Sequence, residues 1–269
     1  MLFINYSPLA TLQCKDDSGE KRDAMVTVFD LQNVPANYLE DPYGVLAELR
    51  EKSPVHKNPD GTFVLTAYND IVQTYRDPLI WSSDKKAAFR PKFGDTPLFE
   101  HHTSSVVFID PPDHTRIRHL FQSAFTRKAL AAFVPRITNL VDEYLDRLED
   151  QGHMEVVEEF SFRLPIEVVC DLLGVPRQDR ELIRGWANAI LTALEPTLTQ
   201  IQFDEGNQAV ADFKQYLRDL ITHRRTHPEG ARDTEVLTVL ADAEANGARL
   251  TEIELLHQCI VMLNAGHET

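Results

Sequence analysis

Cysteine is scarce in this chain: Cys14, Cys170 and Cys259 lie far apart, are odd in number and never form a Cys-x-x-Cys pair. That excludes a disulfide framework or a zinc knuckle as the organising device, and a reducing cytoplasm is the expected compartment. Cys170 and Cys259 fall within apolar helical patterns and are expected to be small buried hydrophobes. Positive charge is also in short supply. Lys and Arg number 27 against 42 Asp and Glu, a formal net charge of −15 at pH 7. Phosphate backbones and anionic membrane surfaces select basic faces, so neither nucleic acid nor a membrane is an expected partner. No run approaches the ~20 consecutive apolar residues of a membrane span. Residues 1–12 are mildly apolar but lack the basic start and small-residue cleavage site of a signal peptide.

What is present suits an ordinary globular protein of 269 residues, long enough for one large domain or two small ones. Residues 15–23, Lys-Asp-Asp-Ser-Gly-Glu-Lys-Arg-Asp, are polar and expected to be disordered. Residues 1–24 therefore read as a disordered N-terminal extension and 25–269 as the N-terminal part of a single domain, with Met25 a candidate for the natural start.

Past that point the pattern predicts a helix over 42–52 after a capping Asp41, a hairpin from 54–57 and 62–66 around Asn58-Pro-Asp-Gly61, and a helix over 68–76. Residues 81–108, with Pro91, Gly94, Pro97 and the pair His101-His102, predict a long irregular segment, its histidines on a surface loop. The remainder predicts helices over 110–125, 128–150 (kinked or split by Pro135), 160–173 (stopped by Gly174), 177–194, 208–227, 234–245 and 251–269, with a short strand at 154–157. Thr251-Glu-Ile-Glu254 is a capping box. The fold class is mainly α with a small β-hairpin region.

Two motifs carry chemistry. In Asp110-Pro-Pro-Asp-His-Thr-Arg-Ile-Arg118, His114 and Arg118 are four apart and stack on one flank of a helix whose stripe is Ile117, Leu120, Phe121, Ala124 and Phe125. An imidazole and a guanidinium at that spacing offer convergent donors to an anionic group, or else form a solvated polar flank. Residues 114–141 hold Arg116, Arg118, Arg127, Lys128 and Arg136 and no acid, a basic island in an acidic chain that suits an acidic partner. In the second motif, Val261-Met-Leu-Asn-Ala-Gly-His-Glu-Thr269, an apolar helix runs into Ala265-Gly266 and then an acid and an alcohol. Small residues permit close approach to the backbone, Thr269 can bond back to the Ala265 carbonyl, and an acid–alcohol pair suits proton delivery to a bound oxygen species. Read otherwise, Asn264-Ala-Gly266 ends the helix and Glu268-Thr269 opens a loop.

Together these residues resemble the cytochromes P450 of the soluble bacterial type. Residues 110–118 are similar to the signature of the family's third helix, and Ala265-Gly-His-Glu-Thr269 to its central-helix motif A-G-x-[DE]-T; the resemblance covers roughly residues 27–269. It implies a haem-thiolate monooxygenase, an iron-containing oxidoreductase that inserts one atom of O2 into a small apolar organic substrate. Its haem b would receive electrons from NAD(P)H through a ferredoxin or flavodoxin-type donor. His114 and Arg118 would contact the haem propionates, and Ala265 and Gly266 would form the oxygen groove. Glu268 and Thr269 would relay protons, while Arg116, Arg127 and Lys128 would face the redox partner. Residues 82–108 and 193–203 would line and gate the substrate pocket.

The departure from the family is that this sequence contains neither the Glu-x-x-Arg helix nor the loop Phe-x-x-Gly-x-x-x-Cys-x-Gly that supplies the axial thiolate. The resemblance therefore implies an incomplete P450 fold with no metal ligand in this chain, inactive alone, whose last helix exposes an apolar stripe. The competing expectation is a truncated product acting as a helical binding protein without catalysis.

Overall fold

The computed structural model describes residues 2–4, 29, 36–58, 61–149, 151–195, 197–227, 236–242, 244–245 and 248–268. Cys14, the polar stretch 15–23, Met25 and Thr269 lie outside the described residues. The chain divides into two compact units, residues 1–82 and 83–269.

In the first unit a three-stranded antiparallel sheet has the order β1 (Leu2–Ile4), β3 (Phe63–Leu65), β2 (Val55–Lys57). The expected hairpin is β2–β3, paired Val55 to Leu65 and Lys57 to Phe63. Its turn is closed by the Asn58 N–H donating to the Thr62 carbonyl at 2.8 Å. Strand β1, which pairs Leu2 with Leu65, has no counterpart among the sequence expectations. Helix α1 (Pro42–Lys52) begins where Asp41 accepts from the Gly44 N–H at 2.9 Å, and α2 (Tyr68–Arg76) keeps its predicted bounds.

The second unit is almost wholly helical. It comprises α3 (Lys86–Phe93), α4 (Pro97–Ser104), α5 (Asp113–Ala124), α6 (Arg127–Glu149), α7 (Arg163–Leu173), α8 (Arg180–Thr192), α9 (Gln200–Thr226), α10 (Val236–Asp242) and α11 (Glu252–Glu268). A two-stranded ribbon, β4 (Glu244–Ala245) with β5 (Ala248–Arg249), precedes α11. Helices α8 and α9 form the backbone of the unit: Ile183, Ala187 and Ile190 of α8 are buried, as are Val210, Phe213 and Leu217 of α9. Trp186 lies against Phe213, with ring centres 5.4 Å apart. Helices α7 and α11 complete the core through Ile166, Cys170 and Leu173, and through Leu256, Cys259, Ile260 and Leu263. At the end of α7, Gly174 takes φ 72°, a left-handed conformation that glycine adopts without strain, and the predicted stop stands.

Several sequence expectations are corrected. Residues 81–108 are not irregular: α3, α4 and a 3-10 turn at Val106–Phe108 occupy most of them. Pro97 sits in the first turn of α4, where a missing N–H costs nothing, behind an N-cap Thr96 that accepts from the Phe99 N–H. His101 and His102 are accordingly buried in the unit's interior, not on a surface loop. Pro135 does not split α6, since it and Ala131 are exposed and water can serve the freed carbonyl. Residues 156–161 form a π-helical turn in place of part of the expected strand. Helix α9 begins at Gln200, eight residues early, because Thr199 and Gln202 close a capping box. An exposed apolar stripe also lies on α6, through Leu130, Val134, Ile137 and Leu145. Helix α11 is buried over Leu255–Ile260 and again at Leu263 and Asn264.

Candidate functional site

The two motifs lie on α5 and α11, and one salt bridge ties these helices together. The Arg116 guanidinium forks onto both carboxylate oxygens of Glu254 in the first turn of α11, with Nη1 3.3 Å from Oε2, and also reaches Asp113 at 3.4 Å. Glu254 accepts from the Thr251 N–H at 2.8 Å, while its own N–H donates to the Thr251 hydroxyl at 3.2 Å, the reciprocal bonds of the predicted capping box. Burial pushes the Glu254 carboxyl up, but the bonds from Arg116 and Thr251 together outweigh this and hold it below the ordinary carboxylate range. Arg116, expected on the partner-facing surface, is therefore committed to an internal pair.

The rest of the basic island divides in the same way. Arg136 pairs with Asp171 and lies over the Phe133 ring, 4.9 Å from its centre. Arg118, Arg127 and Lys128 are exposed and form no ion pair among the described residues. On the flank of α5, His114 is half-buried and Arg118 exposed, above a stripe in which Ile117, Leu120 and Ala124 are buried.

On α11 the helix continues through Ala265 and Gly266 to Glu268, so the reading in which Asn264-Ala-Gly266 ends the helix does not hold. Ala265 is exposed although Leu263, Asn264 and His267 around it are buried. Val261 and Met262, one turn earlier, are half-buried, so a strip of small and apolar side chains opens on this one face. Gly266 has a different task from the one expected. A Cβ there would meet Val169 Cγ2 of α7 at less than any non-bonded carbon approach, so the absent side chain is what lets α7 and α11 close. Gly266→Ala should lower stability by about 1 kcal/mol or more, overpacking outweighing the helix preference of Ala. Thermal unfolding followed by circular dichroism checks it, and an unchanged or raised midpoint would remove the packing role. Glu268 is the last helical residue of α11, and Thr269 lies outside the described residues.

The exposed Ala265 leaves room over the α11 backbone, as a flat prosthetic group needs, and on α5 an imidazole and a guanidinium one turn apart suit its carboxylates. No described cysteine suits an iron. Cys170 and Cys259 are sealed in the core, and burial pushes each thiol up to about 12.

Polar groups that the sequence motifs do not include occupy the far end of α11. His257 and Gln258 are fully buried, and both reach α4. Gln258 accepts from the Val106 N–H at 3.0 Å and donates to the Ser104 carbonyl at 2.7 Å. His257 Nδ1 lies 3.2 Å from His101 Nδ1. Two polar residues interrupting the apolar run Leu255-Leu256-x-x-Cys259-Ile260 were the signal that could have found them.

Comparison with known proteins bears on the whole arrangement. The family described as cytochrome P450 matches residues 75–269. The vitamin D(3) 25-hydroxylase of Pseudonocardia autotrophica is 33% identical over 235 residues, 86% of this chain and 55% of that protein. The cyclomarin C epoxidase CymV of Salinispora arenicola is 34% identical over 229 residues, 83% of this chain and 55% of its own length. Among solved structures, CalO2 superposes with a TM-score of 0.78 at 26% identity, covering 91% of this chain and 60% of that one. P450BioI, in complex with an acyl carrier protein ligated to hexadec-9Z-enoic acid, gives 0.72 at 27% identity, covering 87% and 60%. The chain thus spans a little over half the length of the relatives it matches. With the family model matching residues 75–269 and relatives above 30% identity, the chain belongs to the cytochrome P450 family.

Proposed function

We propose that this chain supplies the distal half of a haem-thiolate monooxygenase that hydroxylates or epoxidises a small apolar organic substrate. The observation that carries the reading is the exposed Ala265, with half-buried Val261 one turn before it, beside the buried Leu263, Asn264 and His267 of the same helix. Residues 25–269 are read as the N-terminal part of one haem domain, in keeping with the CalO2 superposition, which covers more of this chain than the second unit alone contains. Haem bound there would supply the one-electron and oxygen chemistry that no side chain of this chain possesses.

The chain's own residues have defined tasks. His114 and Arg118 donate to the haem carboxylates, the guanidinium as a planar fork. Ala265 leaves space over the α11 backbone, and Glu268 and Thr269 hold and pass a proton at its edge. Residues 193–203, the α8–α9 connection with the first turn of α9, and the α3–α4 segment line the substrate chamber. Arg127 and Lys128 face an acidic electron donor of the ferredoxin or flavodoxin type that draws on NAD(P)H. Among the described residues no helix is long and apolar enough to cross a membrane, which agrees with a cytoplasmic setting.

The test is to express the reading frame continued through the nucleotides that follow the Thr269 codon. A Glu-x-x-Arg helix, a cysteine loop and a red-shifted thiolate Soret band under carbon monoxide support the proposal. A frame without those residues would leave a helical binding protein and sink the catalytic reading.

A further inference from the structure

The polar contacts of α4 form a chain from the surface into the core. Lys214 of α9 donates to Glu100 Oε2 at 2.8 Å, and Glu100 Oε1 lies 3.4 Å from His257 Nε2. His257 then meets His101 through the two Nδ1 atoms, 3.2 Å apart. Both imidazoles are buried, His257 completely and His101 with 2% of its surface exposed. Two rings facing each other Nδ1 to Nδ1 share one bridging proton, one ring donating and the other accepting. Protonation of both rings replaces that bond with two facing donors and two like charges at contact distance in a dry interior, where the repulsion is poorly screened.

We propose that the His101–His257 pair is an acid-released latch, which holds α4 against α11 when both rings are neutral and frees it when both are protonated. The surroundings set the direction. Lys92 of α3, Lys214 and Arg218 of α9, and His102 of α4 face this cluster and oppose added positive charge, while Glu100 alone favours it. Burial first, then the Lys214 charge, depress His257 to about 4 against the attraction of Glu100. Burial and the Lys92 charge bring His102 to about 4 within its cage of Phe89, Phe93 and Phe108. His101 is held well below 6.5, by burial and by its two histidine neighbours.

Because the closed-state values lie below those of a freed histidine, the opened segment binds more protons. The latch is at full strength above about pH 6.5 and weakens as pH falls from there toward about 4. At pH 5.5 each histidine released from a closed-state value near 4 should raise the opening constant about tenfold, so His257 and His102 together give about a hundredfold, and His101 adds in the same direction. The Gln258 clamp carries no titratable group and acts as a hinge at the C-terminal end of α4. If α3 and α4 wall the substrate chamber, as in the proposed function, the latch would regulate access to it, and this consequence rests on that reading.

The experiment is amide hydrogen exchange of the full chain at pH 7.5 and 5.5, corrected for intrinsic rates. Residues 97–108 should open about a hundredfold more at pH 5.5, while the α7, α8 and α9 core keeps its protection. His257→Gln should cut the pH response of that segment by about tenfold. Should that variant fail to fold, nitrogen-resolved NMR of the wild-type rings should show both histidines neutral at pH 7 and uncharged until well below pH 6. Unchanged exchange in 97–108, loss of protection across the whole unit at once, or a charged ring at pH 7 would each overturn the latch. None of these outcomes depends on whether the continued frame encodes a haem-binding cysteine.

Discussion

Mixed with haem, reduced and exposed to carbon monoxide, the purified 269-residue chain should show no red-shifted thiolate Soret band. The band requires a cysteine thiolate on iron, which also gives the family's oxygen chemistry its push. Cys170 and Cys259 are buried among α7, α9 and α11, and with thiols near 12 only about one in 10⁵ of either is ionised at pH 7. Reaching either would mean parting the most densely packed helices of the unit. Haem taken up through His114, Arg118 and the open strip on α11 would give the spectrum of weakly held or imidazole-bound iron. A thiolate band that survives Cys170→Ser and Cys259→Ser would assign the ligand to Cys14. A band lost on either change would show that the core opens. Either result would overturn the expectation that iron finds no thiolate in this chain.

Replacing Arg180 with methionine should cost about 3 kcal/mol, because it takes the guanidinium from Glu167, leaves Asp171 with Arg136 in place of two partners, and removes the donors to the Val175 carbonyl. Arg180 lies at the start of α8, nearly inaccessible to solvent. It pairs with Glu167, reaches Asp171 at 3.1 Å, and donates through Nε and Nη2 to the Val175 carbonyl at 3.3 Å each. Asp171 also holds Arg136, so a single change disturbs the junction of α6, α7 and α8. Domains of ordinary stability have about 5–15 kcal/mol in hand, so the variant should lose a large share of that margin. Urea titration read through Trp186, two turns along α8, measures the loss. Arg147→Met, at an exposed pair with Glu143, is the control, expected within about 1 kcal/mol of the parent. A shift for Arg180→Met as small as the control's would mean that the network is replaceable.

The helices that set the architecture were legible where a periodic apolar stripe coincided with a terminal signal. Gly174 closes α7, Thr251 and Glu254 open α11, and α1 and α2 keep their bounds. The misreading of residues 81–108 has one cause: Pro91, Gly94 and Pro97 read as breakers, yet two short helices form around them because Phe93, Leu98, His101 and His102 are buried on packing. Tertiary burial overrode a local signal that was itself genuine. The candidate site was legible as motifs because identity and spacing suffice to recognise His114, Arg118 and the Ala265–Thr269 run. The roles of Arg116 and Gly266 were not. One depends on a glutamate 138 residues away and the other on a valine of a different helix, contacts that no local window contains. The His101–His257 bond, spanning 156 residues, was invisible for the same reason.

Glu254 is a single carboxylate serving two masters, the first turn of α11 and the guanidinium of α5. The free energy of starting that helix and the free energy of seating α5 beside it are therefore not separate quantities. A change to Thr251 that tilts the carboxylate is felt by Arg116, and a change to Arg116 is felt at the helix start; perturbations at the two positions should be non-additive. Helix nucleation and helix placement are thus coupled at one atom pair. The Ala265 face acquires its position relative to His114 and Arg118 in the same cooperative step that creates the helix bearing it.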